Sequence, residues 1–377
     1  MTGPRFSVVI PTYNRAEHVA RAVRSVRAQT FPVHEIIVVD DGSTDGTADI
    51  LDALAREDGP PVVTLRQANR GAGAARNLGI GAAAGDWVAL LDSDDAWLPG
   101  KLEDARRLIG REPGLDFIHS RCIQNFGQDF GQDLGPDGGT AAEPPLTAEQ
   151  RCDPAVLLTG WHIKTSSVIL RRDLLDRIGG LFPTDLRTCE DFELFWRAAI
   201  AADRIGFAPE AGTVIANIPT SLSRDETRVL PRLMDNVEAL GRVIRWLDGR
   251  AGSARLRPIL EARRYWAARV LLTRAARDRR FVEAVRWLRR QDLPPAEIAR
   301  AALSASPVLR IATPSTNPLN TSQNADEAKP PKITSGGAMR AIIAAVKNSS
   351  AVRNSGNSEV AHRMMVTTII SEGRNSG

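Results

Sequence analysis

Short apolar runs that alternate with helical patterns fill the first ~110 residues of this 377-residue chain. The runs are continuous rather than alternating, which is typical of strands covered on both faces. Helical patterns between them complete successive βαβ units. The apolar runs occupy residues 6–10, 36–39, 62–65 and 87–91. We therefore predict an α/β fold with a Rossmann-like, mostly parallel central sheet flanked by helices.

The first helical pattern carries one apolar stripe. Val19, Val23 and Val26 recur at helical spacing, and Arg21 and Arg24 fall between them. Apolar residues at this spacing form the buried face of an amphipathic helix. The pattern predicts that these two arginines and Arg27, which follows Val26, face solvent.

Composition changes twice along the chain. Residues 125–150 are rich in Gly, Pro and Asp and predict a long loop, which in a compact domain is often a functional lid. A strand is predicted at 166–170. We predict an α/β domain over 1–220, an Arg-rich helical domain over 221–310, and a polar, weakly ordered tail over 311–377.

Charge is distributed unevenly. The net charge is +4, yet residues 221–300 hold 19 Arg, no Lys and 10 acidic residues, a balance of +9. This basic stretch indicates an acidic partner, either a lipid surface contacted peripherally or a phosphate-bearing acceptor; a solvated helical face is the alternative. We expect no nucleic-acid partner.

Neither a membrane span nor a signal peptide is visible in the sequence, and the three cysteines fit neither disulfides nor zinc. We expect a cytoplasmic protein, which would meet a membrane at its inner face.

Polar clusters follow three of the predicted strands. Because the carboxyl ends of parallel strands meet at one edge of a sheet, five carboxylates would crowd together there and repel unless a cation shares the site. Oxygen ligands suit Mg²⁺ or Mn²⁺, which often bridge substrate phosphates. Each cluster alone also fits a turn. The clusters are Pro11-Thr12-Tyr13-Asn14-Arg15, Asp40-Asp41-Gly42-Ser43 and Asp92-Ser93-Asp94-Asp95.

Four segments together resemble the family 2 glycosyltransferases of GT-A fold, and the resemblance covers roughly residues 5–215. It implies a metal-dependent, hexosyl-type transferase that moves a sugar from a nucleotide-diphosphate sugar to an acceptor, in cell-surface polysaccharide or glycoconjugate synthesis. The segments are 7–15 (SVVIPTYNR), 37–45 (IVVDDGSTD), 69–77 (NRGAGAARN) and 90–97 (LLDSDDAW).

The resemblance also implies roles for single residues. Pro11 and Tyr13 would line the base and ribose, and Asp41 would hydrogen-bond the base. Asp94 of the family's DxD element would be the direct metal ligand, with Asp92 as a second. The full set implied to bind the nucleotide sugar is Pro11, Thr12, Tyr13, Arg15, Asp40, Asp41, Arg76, Asp92 and Ser93.

A catalytic base is implied by residues 189–197 (CEDFELFWR), which match the family's acidic pair about one hundred residues after the DxD element. An inverting transfer needs one carboxylate to remove the acceptor proton as the hydroxyl attacks the sugar. The resemblance assigns this role to Asp191, with Glu190 as its supporting neighbour. The alternative is that both acids only favour the N-terminus of a helix.

Two other functions are weighed against this one. A sugar-phosphate nucleotidyltransferase would share the nucleotide-binding sheet, but that class has a Gly-rich loop after the first strand, where this chain has Pro11-Thr12-Tyr13-Asn14-Arg15. A non-catalytic nucleotide-sugar-binding protein would not need both Asp94 and Asp191.

Overall fold

A computed structural model describes residues 3–125, 146–160, 163–216 and 226–305. The loop predicted over 125–150 lies largely outside these residues, and the tail predicted over 311–377 lies wholly outside them. Within the described ranges, no helix is both long enough and apolar enough to cross a membrane.

The described residues contain one eight-stranded, mixed sheet. Its strands are β1 (Phe6–Thr12), β2 (Glu35–Asp40), β3 (Val62–Arg66), β4 (Trp87–Leu90), β5 (Ala96–Trp97), β6 (Leu115–Asn125), β7 (Ile169–Arg171) and β8 (Arg204–Ala216). Their order is β3-β2-β1-β4-β7-β6-β8-β5. Strands β3, β2, β1 and β4 run parallel, whereas β7 is antiparallel to both its neighbours. The predicted α/β fold is confirmed.

Helices flank this sheet, and further helices follow it in the chain. They are α1 (Ala16–Arg27), α2 (Thr47–Leu54), α3 (Ala72–Ala82), α4 (Lys101–Arg111), α5 (Ala148–Arg151), α6 (Pro154–Leu157), α7 (Arg172–Arg177), α8 (Glu190–Ala201), α9 (Val229–Leu247), α10 (Ser253–Arg277), α11 (Phe281–Leu288) and α12 (Pro295–Ala305). Single 3₁₀ turns lie at Thr165–Ser167 and Glu226–Arg228.

Both faces of the sheet are buried, which explains the continuous apolar runs. Val8 of β1 packs in a cluster with Val23 of α1, whereas the next residue, Val9, packs in a second cluster with Ala75 of α3 and Phe195 of α8. Successive side chains of a strand point to opposite faces. Burying each large apolar side chain contributes about 1.5–3 kcal/mol. With both faces filled, the strand ends are left to carry the polar clusters.

The strand predicted at 166–170 starts later than expected. Ser166 and Ser167 belong to the 3₁₀ turn, and β7 begins at Ile169. The Ser167 hydroxyl donates to the Lys164 carbonyl at 2.7 Å, and the Ser166 hydroxyl accepts the Asp92 amide at 3.0 Å. Such side-chain bonds to the backbone compete with a strand ladder.

The chain divides into two compact units, Met1–Arg228 with Arg242–Leu260, and Val229–Gly241 with Glu261–Gly377. The first unit contains the sheet, and the described part of the second is helical.

Candidate active site

Hydrogen bonds donated by backbone amides join the loops that follow β1 and β2. Asn14 adopts φ 50° and donates its amide to the Ser43 hydroxyl at 2.9 Å. Ser43 in turn donates its amide to Asp40 Oδ1 at 2.9 Å, and the Asp41 amide donates to the Thr12 carbonyl at 2.9 Å. Asparagine tolerates a positive φ better than most residues. Two of the predicted polar clusters therefore form one surface.

The predicted nucleotide-binding residues of the β1 loop differ in exposure. Pro11 and Thr12 are buried, Arg15 is half-buried, and Tyr13 is 43% exposed. An exposed aromatic ring offers a face on which a nucleobase can stack. The Thr12 hydroxyl oxygen is buried and has no hydrogen-bond partner within the described part of the chain.

Asp41 organises the loop between β3 and α3. Its Oδ1 accepts hydrogen bonds from Gln67 Nε2 at 2.7 Å and the Arg70 amide at 2.8 Å, and its Oδ2 accepts the Gly71 amide at 2.8 Å. A carboxylate has about four acceptor positions. One position, on Oδ2, is left for a ligand.

The glycine run before Arg76 serves packing. Gly71 precedes α3 at φ 90°, a conformation that favours glycine. A Cβ on Gly73 would lie 3.1 Å from the Pro183 carbonyl oxygen and 3.2 Å from Glu190 Cγ. The small residue lets α3 approach the start of α8. Backbone conformation and packing therefore account for these glycines without a bound phosphate.

Arg76 connects two predicted parts of the site. Its Nη2 donates to Asp92 Oδ1 and its Nη1 donates to Glu190 Oε1, both at 2.8 Å. The guanidinium is buried and lies 5.2 Å from the centre of the Phe182 ring. Burial lowers the pKa of Arg76, but the charges of Asp92 and Glu190 outweigh it, so the pKa is raised and the group stays charged.

The acidic loop, residues 92–95, is anchored by Asp95, for which no separate role was predicted. Asp95 Oδ2 accepts the Ser166 hydroxyl, and Oδ1 accepts the Ala216 amide of β8 at 2.8 Å. Burial, followed by the charges of Asp92 and Asp94, raises the pKa of Asp95 well above its usual range. Ser93 in the same loop is also buried.

Asp94 is the acid of this loop that remains available to a cation. Asp92 is paired with Arg76, whereas Asp94 forms no ion pair with any residue of the described ranges. Burial, then the charge of Asp92, raises the pKa of Asp94. A bound cation would relieve this repulsion.

The donors present fit a partly protein-bound ion. No group of three or more His, Cys, Asp or Glu side chains in the described ranges is arranged to hold a metal. Mg²⁺ and similar ions are commonly held by one or two carboxylates plus substrate phosphates. Asp94 and Asp92 supply that number of carboxylates.

Helix α1 reaches the acidic loop through Arg21. Its guanidinium donates to the Asp94 carbonyl, and its side chain is half-buried. The prediction that Arg21 faces solvent is wrong, because the acidic loop folds back over this turn of the helix. Arg24 is exposed, as predicted. The prediction is also wrong for Arg27, whose side chain is 11% exposed because it pairs with Glu57 and donates to the Leu54 carbonyl at 2.8 Å.

The acidic pair, Glu190 and Asp191, forms the first two residues of α8. Cys189 precedes it at φ 64°, a strained conformation that sets the direction in which the helix starts. Asp191 Oδ2 accepts the Thr165 hydroxyl at 3.0 Å, and Oδ1 accepts the Phe192 amide at 2.8 Å. Both carboxylates thus have fixed orientations.

Burial dominates the electrostatics of the acidic pair. It raises the pKa of Asp191, although Arg76 and the hydrogen bonds oppose the shift. Burial, followed by the charge of Asp191, raises the pKa of Glu190 to about 7. A carboxylate with a raised pKa is a stronger base than one in water, which suits proton abstraction.

Sequence reasoning missed Thr165 and Ser166. The structure brings Arg76, Asp92 and Glu190 into contact, and these two further residues touch Asp191 and the acidic loop. The available signal was a Thr-Ser-Ser run before an apolar strand, because a buried polar run needs partners.

The mostly parallel sheet, flanked by helices, has the GT-A fold of glycosyltransferases. Residues 7–178 match the family model described as glycosyl transferase family 2. The chain is also 30% identical over 324 residues to the succinoglycan biosynthesis protein ExoW of Rhizobium meliloti, covering 81% of this chain and 95% of that protein. This chain belongs to glycosyltransferase family 2.

Other relatives match over shorter stretches. An uncharacterised glycosyltransferase of Nostoc sp. is 34% identical over 190 residues, half of this chain and 57% of that protein. The matches cover 57% of this Nostoc protein, 59% of an uncharacterised glycosyltransferase of Haemophilus influenzae and 63% of the succinoglycan biosynthesis protein ExoO of Rhizobium meliloti. The chain therefore spans less than two thirds of the length of these three relatives.

Solved structures share the fold at low identity. S. aureus TarS 1–349 in complex with UDP-GlcNAc has a TM-score of 0.57 at 20% identity, covering 80% of this chain and 87% of that one. The mannosyltransferase PcManGT from Pyrobaculum calidifontis, in complex with GDP-Man and Mn²⁺, has a TM-score of 0.53 at 18% identity, covering all of this chain and 89% of that one.

Proposed function

We propose that this chain is an inverting, metal-dependent glycosyltransferase that moves a sugar from a nucleotide-diphosphate sugar to an acceptor hydroxyl. The observation that carries the proposal is the double hydrogen bond of Arg76 to Asp92 of the acidic loop and to Glu190, the chain neighbour of Asp191. A metal-binding carboxylate and a base next to each other are what such a transfer needs.

Asp191 is the proposed base. Its two oxygens are oriented by Thr165 and Phe192, and burial raises its pKa. It would take the proton of the acceptor hydroxyl as that oxygen attacks the sugar carbon on the side opposite the diphosphate. Glu190, paired with Arg76, would keep the helix start in place.

Asp94, with Asp92 as a second ligand, would hold the divalent cation, Mn²⁺ or Mg²⁺. When bound, the cation would supply positive charge to the departing diphosphate. The Mn²⁺ complex of PcManGT supports this assignment. No acid on the protein is then needed at the leaving group.

The nucleotide would lie on the surface formed by the β1 and β2 loops. Tyr13 offers an exposed ring, and Asp41 has one acceptor position left for a base N–H. Arg15 lies half-buried after this loop and could meet a phosphate. The complexes of TarS and PcManGT with UDP-GlcNAc and GDP-Man support a nucleotide-sugar donor.

The relatives point to a biosynthetic setting. ExoW and ExoO are named succinoglycan biosynthesis proteins, and TuaG is named a putative teichuronic acid biosynthesis glycosyltransferase. We therefore propose an acceptor on a growing cell-surface polysaccharide or glycoconjugate, reached from the cytoplasmic side.

The second unit carries a basic surface that suits a peripheral membrane contact. Exposed arginines of α10, of α11 and of the residues just after each helix form no ion pair within the described residues, while the nearby acids Asp278 and Glu283 are paired with Arg274 and Arg280. We name these arginines the basic surface: Arg277, Arg279, Arg286, Arg289 and Arg290. Anionic lipid headgroups would complement it.

One assay separates the proposed function from its rivals. The chain is incubated with Mn²⁺ and each common nucleotide-diphosphate sugar, and the released nucleotide is identified. Nucleoside diphosphate release supports a transferase. Pyrophosphate release from a sugar phosphate and a nucleoside triphosphate would establish the nucleotidyltransferase instead, and donor binding with no turnover would leave a binding protein.

A further inference from the structure

The 3₁₀ turn Thr165–Ser167 contacts both halves of the candidate site. Thr165 donates its hydroxyl hydrogen to Asp191 Oδ2 at 3.0 Å. The next residue, Ser166, accepts the Asp92 amide at 3.0 Å and donates to Asp95 Oδ2. Adjacent residues of one turn therefore hold the acidic pair and the acidic loop.

The Thr165 bond completes the restraint on Asp191. An ionised carboxylate only accepts hydrogen bonds, and the Phe192 amide already occupies Oδ1 at 2.8 Å. A single bond would leave the carboxylate free to rotate about its side-chain torsion. With the Thr165 hydroxyl on Oδ2, both oxygens are fixed.

The turn itself is held from two other sides. The Ser166 carbonyl accepts Trp97 Nε1 at 2.8 Å and the Thr213 hydroxyl at 3.1 Å. The Ser167 carbonyl accepts Lys101 Nζ at 3.2 Å. All three turn residues are buried. A turn anchored in this way transmits position to the groups it contacts, as supporting shells do around designed sites.

We propose that Thr165 is a positioning residue for the base Asp191 and Ser166 a positioning residue for the acidic loop, so that this one turn sets the distance between base and metal ligands. This inference rests on the proposed function. The hydrogen bonds of Thr165 and Ser166 support it. Its consequence is that substitution of Thr165 disturbs proton removal, whereas substitution of Ser166 disturbs metal binding.

The base arm is tested with Thr165→Val, which keeps shape and removes the hydroxyl. We expect kcat to fall about 10- to 100-fold with the KM for donor nearly unchanged, because a misplaced base costs rate rather than binding. Thr165→Ser should restore most of the loss. Thr30→Val removes a hydroxyl bonded to the Pro99 carbonyl and serves as the matched control, with kcat unchanged.

The pH profile separates positioning from general loosening. The charged groups facing Asp191 are Arg76, Asp92 and Glu190, and none is altered in Thr165→Val. Losing a hydrogen bond to the ionised form raises the pKa of Asp191, so the acid limb of kcat moves to higher pH. Reduced stability alone would not move that limb.

The acidic-loop arm is tested with Ser166→Ala. We expect the Mn²⁺ concentration for half-maximal activity to rise about fivefold or more, since the loop loses its anchors at Asp92 and Asp95. At saturating Mn²⁺ the acid limb should stay in place. Equal effects of Thr165→Val and Ser166→Ala on both readouts would overturn the division of roles.

A titration independent of turnover distinguishes this inference from the proposed function. The Asp191 carboxyl carbon is followed by NMR across pH, with Asp191→Asn for assignment. The inference is supported if the pKa of Asp191 is higher in Thr165→Val and returns to that of the unaltered chain in Thr165→Ser. An unchanged pKa of Asp191 in Thr165→Val overturns it. Failure of the proposed function would show separately, as absence of nucleoside diphosphate release by the unaltered chain.

Discussion

Arg76 and Glu190 lie 114 residues apart in the chain, and a 2.8 Å hydrogen bond joins guanidinium to carboxylate. Only 6% of the Arg76 side chain and 12% of the Glu190 side chain are exposed. The same guanidinium holds Asp92. One buried cation therefore balances a residue of the acidic loop and a residue of the acidic pair at once.

Replacing Arg76 with an uncharged residue should destabilise the fold. Arg76→Met leaves two buried or partly buried carboxylates without a partner, and breaking such a pair costs about 3–5 kcal/mol. Chemical denaturation of the variant measures the loss. Arg5→Met is the matched control, because its 2.8 Å pair with Asp86 is about half exposed and exposed pairs contribute little to stability. Equal losses in the two variants would contradict the role given to Arg76.

Asp191 should control turnover and its pH dependence. Asp191→Asn keeps size and polarity, so donor affinity by calorimetry should be unchanged while kcat falls about 10²- to 10⁴-fold. A base acts when ionised, and burial raises the pKa of Asp191. Activity should therefore fall on acidification at a higher pH than for a free aspartate. Asp173→Asn, at a half-exposed side chain that pairs with Arg171, is the control, and full activity of Asp191→Asn would reject the base.

The site residues at the strand ends were predictable because the hydrophobic pattern of the sequence indicates the topology of the sheet. The long apolar runs of β1, β2 and β4 identify a parallel sheet, and a parallel sheet brings Asp41 and Asp94 to one edge. Helix α8 and the acidic pair at its start were found through resemblance. These features depend on local sequence or on family motifs.

Features created by distant partners were not predictable. Strand β6 contains His119, which is buried with Nε2 at 2.7 Å from the Arg151 carbonyl, and neither partner reveals the other in sequence. Thr165 meets Asp191 across 26 residues through a fixed turn. Such contacts exist only once the chain has folded, because their stability comes from tertiary packing.

Substitution of Asp94 should affect metal-dependent binding, whereas substitution of Asp95 should affect stability. Asp94→Ala should weaken Mn²⁺-dependent donor binding in calorimetry about tenfold or more, since it removes a ligand that no other described residue pairs with. Asp95→Ala should instead lower the free energy of unfolding, because the Ser166 hydroxyl and the Ala216 amide lose their acceptor. Unchanged affinity of Asp94→Ala with Mn²⁺ would remove Asp94 from the metal site.

Lys101 should make stability depend on alkaline pH. The side chain is 3% exposed, with Nζ bonded to the Ser120 hydroxyl and the Ser167 carbonyl, and burial lowers its pKa to about 8 from 10.5. Between these values the unfolded chain binds the proton and the folded chain does not. The free energy of unfolding should rise by up to about 1.4 kcal/mol per pH unit in that window.

Lys101→Met isolates this effect. The free energy of unfolding of the unaltered chain minus that of the variant should increase from about pH 8 to pH 10.5. A difference that stays constant over this range would show that the buried amine keeps its ordinary pKa.

The basic surface should bind anionic membranes. Basic residues near an anionic bilayer contribute about 1 kcal/mol each, so Arg286→Gln with Arg289→Gln and Arg290→Gln should weaken binding by about 3 kcal/mol, roughly 100-fold. Sedimentation with vesicles of phosphatidylserine and phosphatidylcholine measures this, and salt should weaken binding of the unaltered chain. Arg56→Gln with Arg107→Gln and Arg111→Gln removes the same charge from the first unit and should have little effect. Equal loss in both triple variants would attribute binding to net charge, and absence of the unaltered chain from the pellet at low salt would reject the membrane contact in favour of a solvated helical face.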